Sequence, residues 1–421
     1  MAKLIELIEY APASAVTLSD LELNELRLEN QHWKHILGLA RPPLAIAPNG
    51  QNEYSIRAEG VTGVISTAHL KVEVQPKFLG ETPNPKWQQI LWNILISSGD
   101  VPKIRSSISA TESIGDLTDI VGQVFLTSLA SASDCGLPRG YVEYSKMLPI
   151  LRGKLDIKRL ISSFSSPGLL PCTYEELDYD IPINRLLFWA CRTLAFGVQS
   201  RQLSDRLKHE SLAFKNVSLV LPSPADCENS RLQLLQKGLE PALAISKLLA
   251  RNRVSSPSPG AFSSPSFLWN SAKVFENMTN RILVLLAKVD GWQVSRGSAP
   301  LAKSVADGSS LVTNPDFRLS KGGFTYFVLD SKYKVTEYSG QPSAPDVYQV
   351  MAGSRLYSCD MAILVYPSSK PKPNLEWRIY GDQFPRRLFA TYLDLSVMTR
   401  PSNEYLLVAD LRGLLLAADL D

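Results

Sequence analysis

"NPDFRLSKGGFTYFVLDSKYK", residues 314–334, decides how the last third of this chain is read. Two runs rich in apolar and aromatic residues flank Lys321-Gly322-Gly323, the composition of a tight hairpin. Asp316 opens its first strand, and Asp330 and Lys332 lie along its second. Side chains alternate along a strand, so Asp330 and Lys332 share a face about 6.6 Å apart while Ser331 points away. Phe327 and Leu329 are out of phase with them and face a core. Register then decides whether the aspartates meet. A two-residue Gly322-Gly323 loop sets Asp316 opposite Leu329, on the wrong face, whereas a three-residue loop, 322–324, sets it opposite Asp330. The spacing predicts an odd-length loop or a bulge in this hairpin.

Two carboxylates about 4 Å apart repel by roughly 4 kcal/mol at an effective dielectric near 20. Without a cation, one of them takes up a proton or the pair splays. A hard ion such as magnesium, or manganese, removes the conflict because it prefers carboxylate and phosphate oxygens. Asp316 and Asp330 are therefore expected to hold a divalent metal against a phosphate. Lys332 is expected to orient the attacking water, lower its pKa or neutralise the phosphate. D-x-K alone is common as a surface ion pair; the order of elements around it gives it weight.

Upstream, "SFLWNSAKVFENMTNRILVLLAKV" reads as an amphipathic helix, with apolar residues at 268, 272, 275, 282, 283 and 286. "GWQVSRG" reads as a short strand, and downstream "DVYQVMAGSRLY" reads as a helix and "MAILVYP" as a buried strand. Asp346, just after Pro345, is accounted for as a first-turn acid favoured by the helix dipole. The first ~80 residues look β-rich: Leu70, Val72 and Val74 alternate with Lys71, Glu73 and Gln75, Gly60 and Gly63 punctuate the strands, and Pro76 ends the last. "NPKWQQILWNILISSG" reads as a helix with Asn84 as N-cap and Gly99 at its end. From about 115 to 250 the pattern is mainly helical, with a strand-turn insertion around Arg152-Gly153. "RNRVSSPSPGAFSSPS", residues 251–266, has no period and reads as a linker.

The expected fold class is α+β and multidomain. A β-rich N-terminal domain (1–105) precedes a mainly helical middle region (106–252), a Ser/Pro-rich linker (253–266) and a C-terminal α/β domain (267–421). The 421 residues suit two or three domains. Apolar content of 45% with 20% charge fits a folded chain, and a net charge of +3 permits nucleic-acid contact without arguing for it. Five scattered cysteines without a C-x-x-C pair argue against a disulfide framework and a zinc site. No apolar run approaches the ~20 residues of a membrane span, so a cytoplasmic location without membrane contact is expected.

The order of helical acid, P-D hairpin, D-x-K and helix resembles the PD-(D/E)xK nucleases. Pro315-Asp316, Asp330 and Lys332 fall on that motif, and Glu276 matches the upstream helical acid, a metal or water ligand in many such enzymes. Gln349 matches the glutamine of the Q-x-x-x-Y element that supports DNA binding in RecB-like relatives, although Gly353 stands where the tyrosine belongs. Seven stretches in order resemble the McrC family of McrBC-type modification-dependent restriction systems. They are "GVTGVISTAHLKVEVQPKF", "GYVEYSKMLPILRGKLD", "CTYEELDYDIPINRLLFWA", "VFENMTNRIL", "NPDF", "VLDSKYK" and "DVYQVMA". The resemblance covers most of residues 55–360. It implies a magnesium-dependent endonuclease subunit that cuts double-stranded DNA, docks on and stimulates an AAA+ GTPase or ATPase of McrB type, and pairs nuclease domains to sever both strands. The sequence lacks a G-x-x-x-x-G-K-[ST] phosphate loop, so the motor is expected on another chain. Arg152 reads first as a structural arginine before a turn glycine and, alternatively, as a residue acting in trans on that partner. The rival functions are a RecB-like nuclease that works without a ring, and a ring-binding regulator whose nuclease no longer works.

Overall fold

The structure is a computed structural model and describes residues 2–80, 82–101, 116–132, 136–162, 168–230, 232, 234–252, 264–334, 341–381 and 385–419. Helices and sheets are mixed along the chain, which forms two compact units. One joins Met1–Lys103 to Ser266–Asp421; the other is Ile104–Pro265. The linear division drawn from the sequence kept the first ~105 and the last ~155 residues apart, whereas packing puts them in one unit. Residues 253–263 of the expected linker lie outside the described residues.

The first stretch of the first unit runs β1 (Lys3–Ile8), β2 (Ser14–Thr17), α1 (Asp20–Ile36), β3 (Leu44–Pro48), β4 (Glu53–Ala58), β5 (Val61–Ser66), β6 (Leu70–Gln75) and α2 (Trp87–Ser98). It is β-rich as expected, except for α1. That helix starts at a reciprocal capping box between Ser19 and Glu22 and buries Leu23, Leu26, Asn30 and Trp33 at helical spacing. The sequence carries this start as a local Ser-x-x-Glu pattern, Ser19 to Glu22. In β6 the alternation of Leu70, Val72 and Val74 with polar residues does not divide core from solvent, because Glu73 and Gln75 are buried too. The N-cap assigned to Asn84 shifts: its side chain accepts from Lys86 N at 2.9 Å, and α2 begins after Lys86 without a side-chain cap. Gly99 closes α2 in the left-handed region, as expected.

The second unit contains α3 (Leu117–Ala132), β7 (Gly140–Leu148), β8 (Lys154–Leu155), α4 (Ile157–Ser162), β9 (Leu170–Asp178), α5 (Pro182–Gly197), α6 (Arg201–Glu210), α7 (Pro224–Asn229) and α8 (Glu240–Arg251). Its helices pack around Val121, Val124, Phe125, Leu187 and Leu194, all fully buried. Its sheet, in the order β7-β9-β8, is the predicted insertion. Arg152 sits at its turn, paired with Glu176 at 3.3 Å and over the Tyr174 ring, so its structural role is filled within the sheet.

The chain then re-enters the first unit through β10 (Phe267–Asn270), read from sequence as part of the following helix. It is instead the edge strand of the sheet β1-β6-β5-β10, antiparallel to β5. Gly63 lies within β5 and allows this pairing: its φ is +132°, and a Cβ there would stand 2.0 Å from the Phe267 carbonyl oxygen. α9 (Ser271–Asp290) follows, capped by Asn270, whose side chain accepts from Lys273 N at 3.0 Å.

The remaining elements are β11 (Gln293–Ser295), β12 (Ala299–Lys303), β13 (Ser310–Thr313), β14 (Phe317–Lys321), β15 (Phe324–Ser331), α10 (Ala344–Leu356), β16 (Met361–Ser368), β17 (Leu375–Arg378), β18 (Arg387–Asp394) and α11 (Glu404–Asp419). Six strands form one sheet in the order β11-β14-β15-β16-β18-β17. β15, β16 and β18 are parallel neighbours, and the flanking pairs are antiparallel. α10 crosses from β15 to β16 and packs Val350 against Val328, Ala362 and Leu364. Every residue of β16 is buried, the pattern of a central parallel strand. No helix among the described residues is long and apolar enough to cross a membrane.

Candidate active site

The β14–β15 hairpin resolves the register question in favour of a bulge. Lys321 pairs with Phe324 across a two-residue loop, with Gly322 and Gly323 both at positive φ. That loop alone carries Asp316 to the wrong face. The register then shifts between Leu319 and Ser320, so that Leu319 faces Phe327 and Phe317 faces Leu329. One step further along this register, Asp316 stands against Asp330.

Asp330 is 1% exposed, at the end of a strand whose preceding residues Phe327, Val328 and Leu329 are also buried. Burial, then the charge of Asp316, push its carboxyl up from 3.8 to about 6, against the pull of Lys332. Lys332 Nζ forms an ion pair with Asp330 Oδ2. Neither oxygen of Asp330 receives a hydrogen bond of good geometry from a described residue. The repulsion expected of two adjacent aspartates is thus present, and burial adds to it.

Ser331 was read as pointing away; it instead holds Asp316. Its backbone N–H and its hydroxyl both donate to Asp316 Oδ2, at 2.8 and 2.6 Å. Gln349, on α10, accepts from Lys332 Nζ at 2.7 Å, so its polar end meets the lysine. Asp346 is more than a first-turn acid: it is 4% exposed and accepts from Lys334 Nζ at 2.7 Å. Burial, then the charge of Asp346, raise the hydroxyl of neighbouring Tyr366 above its usual range. The structure therefore joins Asp316, Asp330, Lys332 and Gln349. Glu276 has other partners, Lys273 at 3.1 Å and Arg296 at 3.4 Å.

Asp316 and Asp330 offer only oxygen donors, and the buried carboxyl of Asp330 lies beside a second aspartate with Lys332 as its cation. That donor set fits a hard divalent cation. Among the described residues no group of three or more His, Cys, Asp or Glu is arranged to hold a metal, so these two carboxylates form the whole acidic set there.

The family model described as "McrBC 5-methylcytosine restriction system component" matches residues 56–367. The chain belongs to this McrBC family. Its fold is shared with a chain from the refined half-complex of the tetradecameric assembly of Thermococcus gammatolerans McrB AAA+ hexamers with bound McrC. There the TM-score is 0.69 at 18% identity, over 98% of this chain and 100% of that one. A second chain, from the cryo-EM structure of the Thermococcus gammatolerans McrBC complex, is 18% identical over 68% of this chain and 88% of its own length, with a TM-score of 0.49. Comparison with curated proteins finds no match. A Cβ on Gly353 would lie 3.3 Å from Pro315 Cβ and 3.3 Å from Val328 Cγ1, so α10 packs directly on the residue that precedes Asp316.

Proposed function

We propose that this chain is the DNA-cleaving subunit of a McrBC-type restriction system, with residues 267–421 forming a PD-(D/E)xK nuclease. The observation that supports the reading is the bulged hairpin, whose register sets Asp316 beside Asp330, itself paired with Lys332, where loop length alone would not. Asp316 and Asp330 would hold magnesium or manganese. When bound, the ion supplies a Lewis acid for the charge that develops on the scissile phosphate. Lys332 neutralises the phosphate and orients the attacking water, while Gln349, exposed on α10, holds the lysine amine and would contact DNA. Hydrolysis forms a bond from water oxygen to phosphorus and breaks the bond to the leaving ester oxygen, which departs with a proton. Glu276 enters as an accessory acid, held by Lys273 and Arg296.

The Thermococcus assembly of McrB AAA+ hexamers with bound McrC supports a partner of that type. We infer that this chain docks on an AAA+ GTPase or ATPase ring, stimulates it, and pairs with a second nuclease domain to cut both strands of DNA. In the full chain with its AAA+ partner and nucleotide, Asp330→Ala is expected to abolish magnesium-dependent plasmid cleavage and leave stimulated hydrolysis intact. Cleavage that persists in Asp330→Ala would overturn the nuclease assignment.

A further inference from the structure

Lys77, the lysine of "QPKF" that directly follows β6 and Pro76, is far in sequence from the hairpin yet meets the segment that carries Lys332. Its ammonium donates to the Tyr333 carbonyl at 2.9 Å and lies between two aromatic faces, 4.2 Å from the Tyr333 ring centroid and 4.3 Å from that of Tyr10. Glu9, just past β1 and 1% exposed, joins both sides of the contact. One of its oxygens accepts from the Tyr333 hydroxyl and from Lys77 N. Phe78 and Phe275 close around the Tyr333 ring at 6.1 and 6.2 Å between centroids.

Tyr333 follows Lys332 directly, and the path of the chain is fixed on both sides. Lys332 N donates to the Val365 carbonyl at 2.8 Å, and Lys334 Nζ bonds Asp346 at 2.7 Å. Between these anchors, Lys77 ties down the Tyr333 carbonyl. A half-buried cation held between two rings, donating to one backbone oxygen, is a geometric constraint with little slack.

We propose that Lys77, seated by Glu9, is a positioning residue for Lys332. By holding the Tyr333 carbonyl it fixes the backbone from which the Lys332 amine reaches Asp330 and Gln349. The N-terminal sheet is then part of the nuclease's working geometry. The role assigned to Lys332 comes from the proposed nuclease reading, on which this inference rests.

The test compares full-length Lys77→Met, Lys77→Arg, Glu9→Gln and Asp330→Ala with the unaltered chain, each with the AAA+ partner, nucleotide, magnesium and plasmid DNA. Lys77→Met keeps the apolar stem and removes the donor. Its kcat is expected to fall about 10- to 100-fold with KM within about twofold, the effect of losing an orienting contact behind a reacting group. Lys77→Arg restores much of that loss, because a guanidinium stacks between the rings and still donates. Glu9→Gln shows a smaller loss in the same direction. Independently of cleavage, amine-selective labelling of Lys332, read by mass spectrometry, is expected to speed up several-fold in Lys77→Met and to return toward normal in Lys77→Arg. Unchanged kcat and unchanged labelling in a folded Lys77→Met, alongside an inactive Asp330→Ala, overturn the positioning role and leave the nuclease reading standing. Cleavage retained in Asp330→Ala overturns the nuclease reading itself, and the labelling rates then decide whether Lys77 positions Lys332.

Discussion

Two buried carboxylates on strands of the same unit have opposite surroundings. Glu73, in β6, is 6% exposed, and each of its oxygens has a donor: Lys71 Nζ at 2.8 Å and Gln88 Nε2 at 2.9 Å. Asp330, in β15, is more deeply buried and stands beside another aspartate, with Lys332 as its ion-pair partner. A buried charge left short of donors costs several kcal/mol. Glu73 is neutralised by a lysine and an amide, whereas at Asp330 one lysine faces two neighbouring aspartates, so that the acidic charge there exceeds the cationic charge its own chain brings.

The largest expected effect comes from neutralising both. Asp330→Asn should lower magnesium-dependent cleavage on the order of 10³-fold or more. It should leave the melting temperature unchanged or raise it, since it relieves a carboxylate pair. Glu73→Gln should do the reverse: cleavage stays within a few-fold while stability drops about 1–3 kcal/mol, because Lys71 loses the Glu73 carboxylate. Thermal melts and cleavage rates on the same preparations check the pair. A stability loss in Asp330→Asn equal to that in Glu73→Gln would erase the contrast.

The sheets that carry these carboxylates belong to one unit, and β10 is the strand by which the chain returns to the first of them. Gly63→Ala forces a side chain into +132° backbone and onto the Phe267 carbonyl. A loss of about 3 kcal/mol or more is expected by chemical denaturation. A loss below about 1 kcal/mol would show that the β5–β10 pairing is looser than described.

Glu9 sharpens the comparison from another side, because its donors are Tyr333 and Lys77. Burial raises its carboxyl from 4.5 to about 7, opposed by the Tyr333 hydrogen bond and the Lys77 charge, with Ser271 adding a smaller pull. A folded-state pKa above the unfolded one means stability that is present in full below pH 4.5 and lost as pH rises through about 7. Glu9→Gln should therefore flatten the decline of stability between these pH values, by at most about 3 kcal/mol. Denaturant midpoints across this range test it. An unchanged slope would mean that Glu9 is not the titrating group.

Much of the hairpin was legible because strand chemistry is periodic. Asp330, Lys332, the turn glycines and the need for an odd-length loop or a bulge all follow from counting residues. The site of that bulge, between Leu319 and Ser320, does not, since several positions satisfy the same count. β10 was missed because three apolar residues and an asparagine before a helix carry no sign that they pair with a strand about 200 positions earlier. The single unit built from the two ends of the chain was missed for the same reason. Ser331 and Lys77 left no local signal either: what matters in each is a donor atom delivered by a long-range contact. α1 is different, for its capping box was present in four consecutive residues.

Gln349 and Glu276 give the smallest effects and separate a helper from a ligand. Gln349→Leu removes the acceptor for Lys332 and should lower kcat about tenfold. Glu276 already has two cations, Lys273 and Arg296, and its side chain is 27% exposed. Pairs this exposed are worth at most about 1 kcal/mol. Glu276→Gln should accordingly cost less than about tenfold in cleavage and less than about 1 kcal/mol in stability. Steady-state rates at several magnesium concentrations supply the check, because an acid that helps hold the ion shifts the magnesium dependence when it is lost. A loss as large as that of Asp330→Asn, with a higher magnesium requirement, would make Glu276 the third carboxylate of the site. The contrast between satisfied and unsatisfied acids would then fail, since an acid paired by its own chain would be holding the metal.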